Sequence, residues 1–242
     1  MLQLNSIHCA DCLEKMKEID DKSIDLILAD LPYGTTACKW DTIIPFEPLW
    51  GQYKRIIKDN GAIVLTASQP FTSALVMSNV KMFKYEWVWD KVIPRGHLVA
   101  KKRPMQQTEG VLIFYSKAPT YKPQMILRDK PIKGTEGKRT SIMGGESVGY
   151  SKVYTHKYPT NLIRIKPDKD KLHPTQKPVA LFEYLIKTYT NEGDLVLDNC
   201  AGSGTTGVAC QNLNRNYILI EKDPEYVEIA EARLKEKQKR LL

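Results

Sequence analysis

Two short stretches of this chain carry groups suited to chemistry on a flat heterocycle: Asp30-Leu31-Pro32-Tyr33 near the start, and Asp198-Asn199-Cys200-Ala201-Gly202-Ser203-Gly204-Thr205-Thr206-Gly207 near the end. The first places a carboxylate, a carbonyl and an aromatic ring within four residues. An exocyclic amine of adenine or cytosine is a poor nucleophile because its lone pair is delocalised into the ring. The Asp30 side chain and the Leu31 carbonyl can each accept one of its N–H groups, which moves the nitrogen toward a tetrahedral geometry. Pro32 fixes its own φ and biases Leu31 toward an extended backbone. Tyr33 can stack on a base face for about 1–3 kcal/mol, and Gly34 lets the chain turn away. A base in a duplex must first leave it, at a cost of roughly a few kcal/mol that stacking and edge hydrogen bonds return.

The second stretch contains Gly202, Gly204 and Gly207 in G-x-G-x-x-G spacing, with Glu221 nineteen residues after Gly202. Glycines allow a tight turn and close approach of a ligand to the backbone, and an acidic residue at the end of the next strand can accept both ribose hydroxyls. Taken alone this pattern suits a nicotinamide dehydrogenase equally well, or a glycine turn kept for strand–helix packing. Asp198 before the loop, and Ser203, Thr205 and Thr206 along it, add polar groups for an amino-acid moiety.

Each loop needs a strand to hold it. Ile24-Asp25-Leu26-Ile27-Leu28-Ala29 and Leu195-Val196-Leu197 are apolar runs of the kind found in buried parallel strands, so both loops are expected at strand C-termini, where open α/β sheets take their ligands. The first ninety residues alternate helical and strand patterns. Helices are expected near Leu13–Ile19, at Pro45–Ile57 and from Pro70. Strands are expected at Ala62–Thr66 and Tyr85–Trp89. From His173 the alternation resumes with a helix from Pro178 to about Tyr189, a strand to Asp198, a helix Ser203–Leu213, a strand Tyr217–Ile220 and a charged helix from Pro224. Between them, one convincing strand, Val111–Tyr115, interrupts a stretch rich in Lys, Arg, Gly and Pro. From Lys117 to Pro159 there is too little apolar surface to offset ordering entropy, so a poorly ordered loop is expected.

Charge follows the same division. Residues 91–177 hold 19 of the 36 Lys and Arg but 6 of the 28 Asp and Glu, a net of +13 against −5 for the remainder. Such asymmetry suits contact with phosphates, although a solvated loop region also carries many lysines. The 242 residues suffice for one sizeable α/β core and a smaller appended region. Five cysteines (9, 12, 38, 200 and 210) do not look like a disulfide framework. Cys9-Ala10-Asp11-Cys12 lacks the second pair a zinc site needs, so no metal is expected. No apolar run approaches a membrane span and no signal-peptide layout is present, which points to a cytoplasmic protein with no membrane partner.

Taken together, these residues resemble the amino-group DNA methyltransferases that use S-adenosylmethionine. The similarity is to the permuted, beta-type subgroup of phage and restriction-modification systems, in which the D/N/S-P-P-Y motif precedes the cofactor motif. The resemblance implies an α/β, Rossmann-like methyltransferase fold: a mostly parallel sheet with helices on both faces and an inserted target-recognition region. Three segments follow, a catalytic half (1–116, with 91–108 a DNA-facing loop), a target-recognition insertion (117–172) and a cofactor-binding half (173–242). Catalytic roles fall to Asp30, Leu31, Pro32 and Tyr33. The cofactor would meet Asp30, the segment Asp198, Asn199, Cys200, Ala201, Gly202, Ser203, Gly204, Thr205 and Thr206, and Glu221 at its ribose. It would also meet Lys177 of His173-Pro174-Thr175-Gln176-Lys177-Pro178 at its carboxylate, and Asp11 and Cys12 near its adenine. Arg95, Lys101, Lys102, Arg103, Arg128, Lys138 and Arg139 are the DNA contacts to expect on a double-stranded partner. A homodimer and a cognate restriction endonuclease are further partners such systems use.

Two departures mark this chain: Leu31 replaces the first proline of P-P-Y, and Cys200 stands where the family usually has Phe. Neither removes a group the chemistry requires. Aspartate at the first motif position favours adenine N6 over cytosine N4, which stays as the alternative, and the lack of a Pro-Cys motif argues against cytosine C5. An RNA or protein-glutamine methyltransferase would place the glycine loop first. A catalytically silent DNA-binding module of the same fold would not be expected to keep Asp30 and Tyr33.

Overall fold

The computed structural model describes residues 2–35, 41–136, 150–168 and 176–241. Along the chain run β1 (Ser6–Cys9), α1 (Cys12–Lys15), β2 (Ile24–Ala29), α2 (Phe46–Ile56), β3 (Ile57–Ala67), α3 (Phe71–Ser78), β4 (Phe83–Arg95) and β5 (Gln106–Phe114). They are followed by β6 (Ile126–Glu136), β7 (Tyr150–Lys157), β8 (Leu162–Arg164), α4 (Val179–Tyr189), β9 (Leu195–Asp198), α5 (Thr205–Asn212), β10 (Asn216–Glu221) and α6 (Pro224–Leu241). The described residues form two compact units, Met1–Lys122 with Asn161–Leu242, and Pro123–Thr160.

The larger unit is built on an eight-stranded sheet in the order β1-β10-β9-β2-β3-β5-β4-β8. All neighbouring pairs are parallel except those made by β5, which runs antiparallel to both β3 and β4. The central strands are apolar on both faces because both faces are covered. Ile27, Ala29, Ile63, Leu65, Leu112 and Phe114 point into one core with Leu49, Trp50, Tyr53 and Ile56 of α2 and Phe71 and Leu75 of α3. Their strand neighbours Leu26, Leu28, Ala62, Val64, Val111 and Ile113 point into the other, against Leu181, Phe182, Leu185 and Ile186 of α4, Val208 and Ala209 of α5 and Leu234 of α6. The period of two along each strand thus distributes one sequence between two layers.

β2 and β9 are adjacent, yet the chain leaves β2 toward β3 and leaves β9 toward β10, on opposite sides. The loops after these two strands therefore flank the crevice where the order of an open α/β sheet reverses, the usual ligand position. That crevice lies between Asp30 and Asp198.

Several elements depart from the sequence expectation. The helix near Leu13 is a single α turn followed by a 3₁₀ turn at Met16–Glu18. Pro178 caps α4 from outside it, with an extended ψ of 137°. β4 continues past Trp89 to Arg95, with a register shift after Asp90. There Asp90 accepts from the Val92 amide at 2.8 Å, from Gln107 Nε2 at 2.8 Å and from Arg164 Nε at 2.9 Å, and the Arg164 and Gln107 bonds hold its carboxyl down at about 2.

The middle of the chain is more regular than its composition suggests. β6 and β7 form an antiparallel ribbon in the smaller unit, whose ladder pairs the facing backbone groups of the two strands. That unit is narrower than 117–172. Residues 117–122 and 161–168 belong with the main body, where Ile163 is buried in the core, Lys122 N donates to Thr188 O at 2.8 Å and Trp89 Nε1 to Ile165 O at 2.8 Å. Lys138, Arg139, Met143-Gly144-Gly145, Cys38 and His173-Pro174-Thr175 lie outside the described residues. Among the described residues no helix is long and apolar enough to cross a membrane, and no cluster of His, Cys, Asp and Glu has the makings of a metal site.

Candidate active site

A cleft of about 1220 Å³ opens over the C-terminal ends of β2, β9 and β10. It exceeds the roughly 300–1,000 Å³ of a site for one drug-sized ligand. Both sequence motifs reach it: Asp30, Leu31, Pro32 and Tyr33 line one part, and Asp198, Asn199, Cys200, Ala201, Gly202, Ser203 and Thr205 another. Asp11, Cys12, Lys177 and Glu221 line it as well, as do Arg95 and Arg103.

In the glycine loop the backbone is held from within. Glu221 Oε2 accepts the Gly202 amide at 2.7 Å, while its Oε1 accepts the amides of Lys222 and Asp223 at 2.9 and 3.0 Å. Asp198 accepts the Cys200 amide at 3.0 Å and a short hydrogen bond from Thr206 Oγ1. Burial drives the Asp198 carboxyl up to about 7, with these two bonds opposing the rise. Asn199 accepts from the buried Tyr53 hydroxyl at 2.6 Å, which ties the loop to α2. Gly204 sits at φ +76° and a Cβ there would stand 2.9 Å from the Ala230 Cβ; at Gly207 it would stand 2.8 Å from Leu234 Cδ2 and 2.9 Å from Leu219 Cδ1. Those two glycines let α5 pack against α6 and the sheet.

Gly204 and Thr206, expected at the cofactor, therefore do not line the cleft: Gly204 packs on α6 and Thr206 turns inward to Asp198. Thr205 Oγ1 accepts from Arg233 at 3.0 Å and Ser203 Oγ donates to Gln176 at 3.1 Å, so loop hydroxyls brace the loop itself. Asp11 caps α1, accepting the Leu13 amide at 3.0 Å. The Cys12 and Cys200 side chains act on each other, which lowers the Cys12 thiol and raises the Cys200 thiol.

The Asp30 side chain is the hub of a second, denser network. Lys177 Nζ donates to Asp30 Oδ2 at 2.7 Å and to Glu109 Oε1 at 2.9 Å. Lys91 Nζ meets Glu109 Oε2 at 2.8 Å. The Tyr33 hydroxyl lies 2.8 Å from Asp30 Oδ1, 2.9 Å from Glu109 Oε1 and 3.0 Å from Thr66 Oγ1, and Thr66 makes a short hydrogen bond to Asp30 Oδ1. Burial alone would raise the Glu109 carboxyl, but Lys177 and Lys91 outweigh it and bring it to about 2. Burial would lower the Lys177 ammonium, and Asp30 and Glu109 outweigh it in turn, raising it. Burial, then the charges of Asp30 and Glu109, push the Tyr33 phenol well up, so it remains a donor.

This geometry assigns Tyr33 and Lys177 places that motif reading alone did not. The Tyr33 ring stacks on Phe71 at a centroid distance of 5.1 Å, with Lys177 Nζ 5.6 Å from its centroid. Lys177 spends its ammonium on Asp30 and Glu109, although it was expected at the cofactor carboxylate. Thr66, Lys91 and Glu109 were not singled out from sequence. A signal existed for Glu109, a charge two residues before the apolar run Val111–Phe114 on the same strand. Lys101 and Lys102 are exposed and stand outside the cleft lining, and Arg128 belongs to the smaller unit, where its Nε donates to His156 O at 3.1 Å.

Comparison with known proteins identifies the family of the chain. The sequence pattern of the N6_N4_Mtase family, described as DNA methylase, matches residues 24–232. The type II methyltransferase M.HpaI of Haemophilus parainfluenzae is 29% identical over 241 residues, which cover 93% of this chain and 73% of its own. The crystal structure of the M1.HpyAVI–SAM complex superposes with a TM-score of 0.66 at 28% identity, covering 95% of this chain and 99% of that one. The cytosine-N4-specific PvuII DNA methyltransferase, at 17% identity, shares the fold with a TM-score of 0.69 over 97% of this chain and 91% of its own. The family match begins at the first residue of β2 and ends within α6, so it takes in both loops of the cleft. The chain belongs to the N6_N4_Mtase family of DNA methylases.

Proposed function

We propose that this DNA methylase is a site-specific adenine N6-methyltransferase that uses S-adenosylmethionine and acts on a base turned out of duplex DNA. The observation that carries the reading is that the Asp30 carboxylate and the Asp198–Ser203 loop line one cleft. When bound, S-adenosylmethionine supplies an electrophilic methyl group on a sulfonium.

The residues at the glycine loop fit that cofactor. Glu221 lines the cleft as a carboxylate already fixed by three backbone amides, which suits a ribose diol. Asp198 is buried with its carboxyl raised to about 7, so a cationic amino group nearby would find an acceptor that gains by ionising. Gly202, at φ +50°, offers backbone to the ligand with no side chain over it. Asp11 and Cys12 would border the adenine.

On the substrate side, Asp30 and the Leu31 carbonyl would accept the two N–H groups of the target amine, and Asp30 stands ready to take the proton the nitrogen loses. Pro32 holds Leu31 extended. Thr66 and Tyr33 orient the Asp30 carboxylate by hydrogen bonds from β3 and from its own loop. Positioning and electrostatics of this kind supply most of the acceleration when no covalent intermediate is needed. Aspartate in the first motif position, rather than serine, supports adenine as the target. Arg95 and Arg103 at the cleft edge would hold phosphates, with Lys101 and Lys102 beside them and the β6–β7 ribbon serving in target recognition. The loop order, catalytic first and cofactor last, supports the permuted subgroup, and the likeness to type II enzymes supports a cytoplasmic role beside a cognate endonuclease.

Calorimetry with S-adenosylmethionine and with NAD, followed by incubation with labelled cofactor on duplex DNA and on RNA, tests this reading. Binding of S-adenosylmethionine alone and label in DNA alone are expected. Binding of NAD, or label in RNA only, would overturn it.

A further inference from the structure

The Asp30 carboxylate is heavily engaged by its own protein. Two carboxylate oxygens offer about four acceptor positions. Lys177 Nζ uses one on Oδ2, and Tyr33 and Thr66 both approach Oδ1. A target amine must find room among them. Glu109 Oε1 lies 2.9 Å from Lys177 Nζ and 2.9 Å from the Tyr33 hydroxyl, so it is a second acceptor for two of the same three donors. A phenol carries one proton and satisfies one carboxylate at a time.

Glu109 is also expensive to keep. Its side chain is 6% exposed, and burying a carboxylate costs several kcal/mol unless it is paired. The pairing is complete: Lys91 holds Oε2 from β4 while Lys177 meets Oε1. Asp30, Glu109, Lys91 and Lys177 sum to zero formal charge, so donors can move between the two carboxylates with no net charge added to the buried site.

We propose that Glu109 is a positioning residue, the acceptor to which Lys177 Nζ and the Tyr33 hydroxyl shift when Asp30 takes the N–H of the target amine. The inference rests on reading Asp30 as the acceptor for that amine. Lys91 anchors the far oxygen, so Glu109 stays in place while the two donors turn. Glu109 touches neither substrate nor cofactor in this account. It acts through Lys177 and Tyr33.

The test is Glu109→Gln in the full chain, assayed with S-adenosylmethionine and unmethylated mixed-sequence duplex DNA. Without the second negative charge Lys177 stays on Asp30, and kcat is expected to fall ~10- to 100-fold, the scale of a small misplacement of a reacting group. KM for DNA and Kd for the cofactor should stay within about threefold, because ground-state binding is not involved. The groups facing Lys177 are Asp30 and Tyr33 from the β2 loop and Glu109 from β5, with Lys91 behind Glu109. A fall in kcat with KM and Kd unchanged is a split that a purely structural role would not produce. If Glu109→Gln does not fold, Glu109→Asp keeps the charge and withdraws it by one methylene; a smaller kcat loss with unchanged KM is then expected. An unchanged kcat, or a matching loss of cofactor binding, would overturn the inference. Inactivity of the unmodified protein on every DNA would instead overturn the reading on which it rests.

Discussion

Replacing Asp30 by Ala separates the two halves of the cleft. The substitution removes the carboxylate that Lys177 meets at 2.7 Å and that Tyr33 and Thr66 orient. Losing one positioned partner of a developing charge typically costs about 2.7–4 kcal/mol, or ~100- to 1,000-fold in kcat. Stability should suffer less than the ~3–5 kcal/mol of a broken buried ion pair, because Lys177 keeps Glu109 at 2.9 Å. The cofactor loop should be indifferent, since Asp198, Asn199 and Gly202 are held by Thr206, Tyr53 and Glu221 rather than by Asp30. The assay pairs single-turnover methyl transfer with calorimetric binding of S-adenosylmethionine on the same preparation. Transfer should drop at least ~100-fold while Kd changes by less than about threefold. Retained transfer, or loss of cofactor binding in step with transfer, would show that Asp30 has another role.

Other perturbations address separate parts of the molecule. Gly204→Ala puts a Cβ 2.9 Å from the Ala230 Cβ at φ +76°. With a left-handed penalty of about 1–2 kcal/mol for any L residue, thermal unfolding should fall by several degrees; an unchanged Tm would mean that α5 and α6 are not packed as described. The Asp198 carboxyl is raised to about 7 in the fold, above its ordinary value of 3.8. Its protonated form thus contributes stability that is complete below pH 3.8 and is lost as pH rises through about 7. The cofactor-free protein should accordingly lose stability toward neutral pH relative to Asp198→Asn, followed by thermal melts at several pH values, while affinity for a cationic cofactor increases over the same interval. Arg95→Ala with Arg103→Ala should weaken DNA binding and flatten its logarithmic salt dependence by about 0.9 per lost phosphate contact, with cofactor affinity unaltered. An unchanged salt slope would remove these residues from the DNA face.

How far the molecule can be read from sequence depends on how many residues specify each feature. β2, β9 and β10 are apolar runs buried on both faces, and α2 and α4 carry apolar residues three and four apart, so repeated local signals agree. β1 and β8 lack that redundancy: Ser6-Ile7-His8-Cys9 and Leu162-Ile163-Arg164 are short edge strands, recognisable only through their partners β10 and β4. The β6–β7 ribbon owes its shape to a backbone ladder between segments of mixed polarity, which composition does not reveal.

At the site, Asp30 and the glycine loop were legible because several neighbouring residue types must coincide to make each motif. Single residues delivered by distant strands were not. Thr66, Lys91 and Glu109 come from β3, β4 and β5, and pairing of the strands brings Thr66 against Asp30 and Lys91 against Glu109. Similarly, a lysine just before a helix is a natural candidate for a ligand carboxylate. The fold instead gives Lys177 two carboxylates of its own, separated from it by 147 and 68 positions in the numbering.

The central claim, that Asp30 and the Asp198–Ser203 loop together methylate an exocyclic amine of DNA, is tested most directly by the chemical identity of the product. Unmethylated mixed-sequence duplex DNA, incubated with the protein and methyl-labelled S-adenosylmethionine and digested to nucleosides, should yield label in N6-methyladenine and none when Asp30→Ala replaces the unmodified chain. N4-methylcytosine would keep the chemistry and change the target base. Label in neither nucleoside, or undiminished label with Asp30→Ala, would contradict the claim.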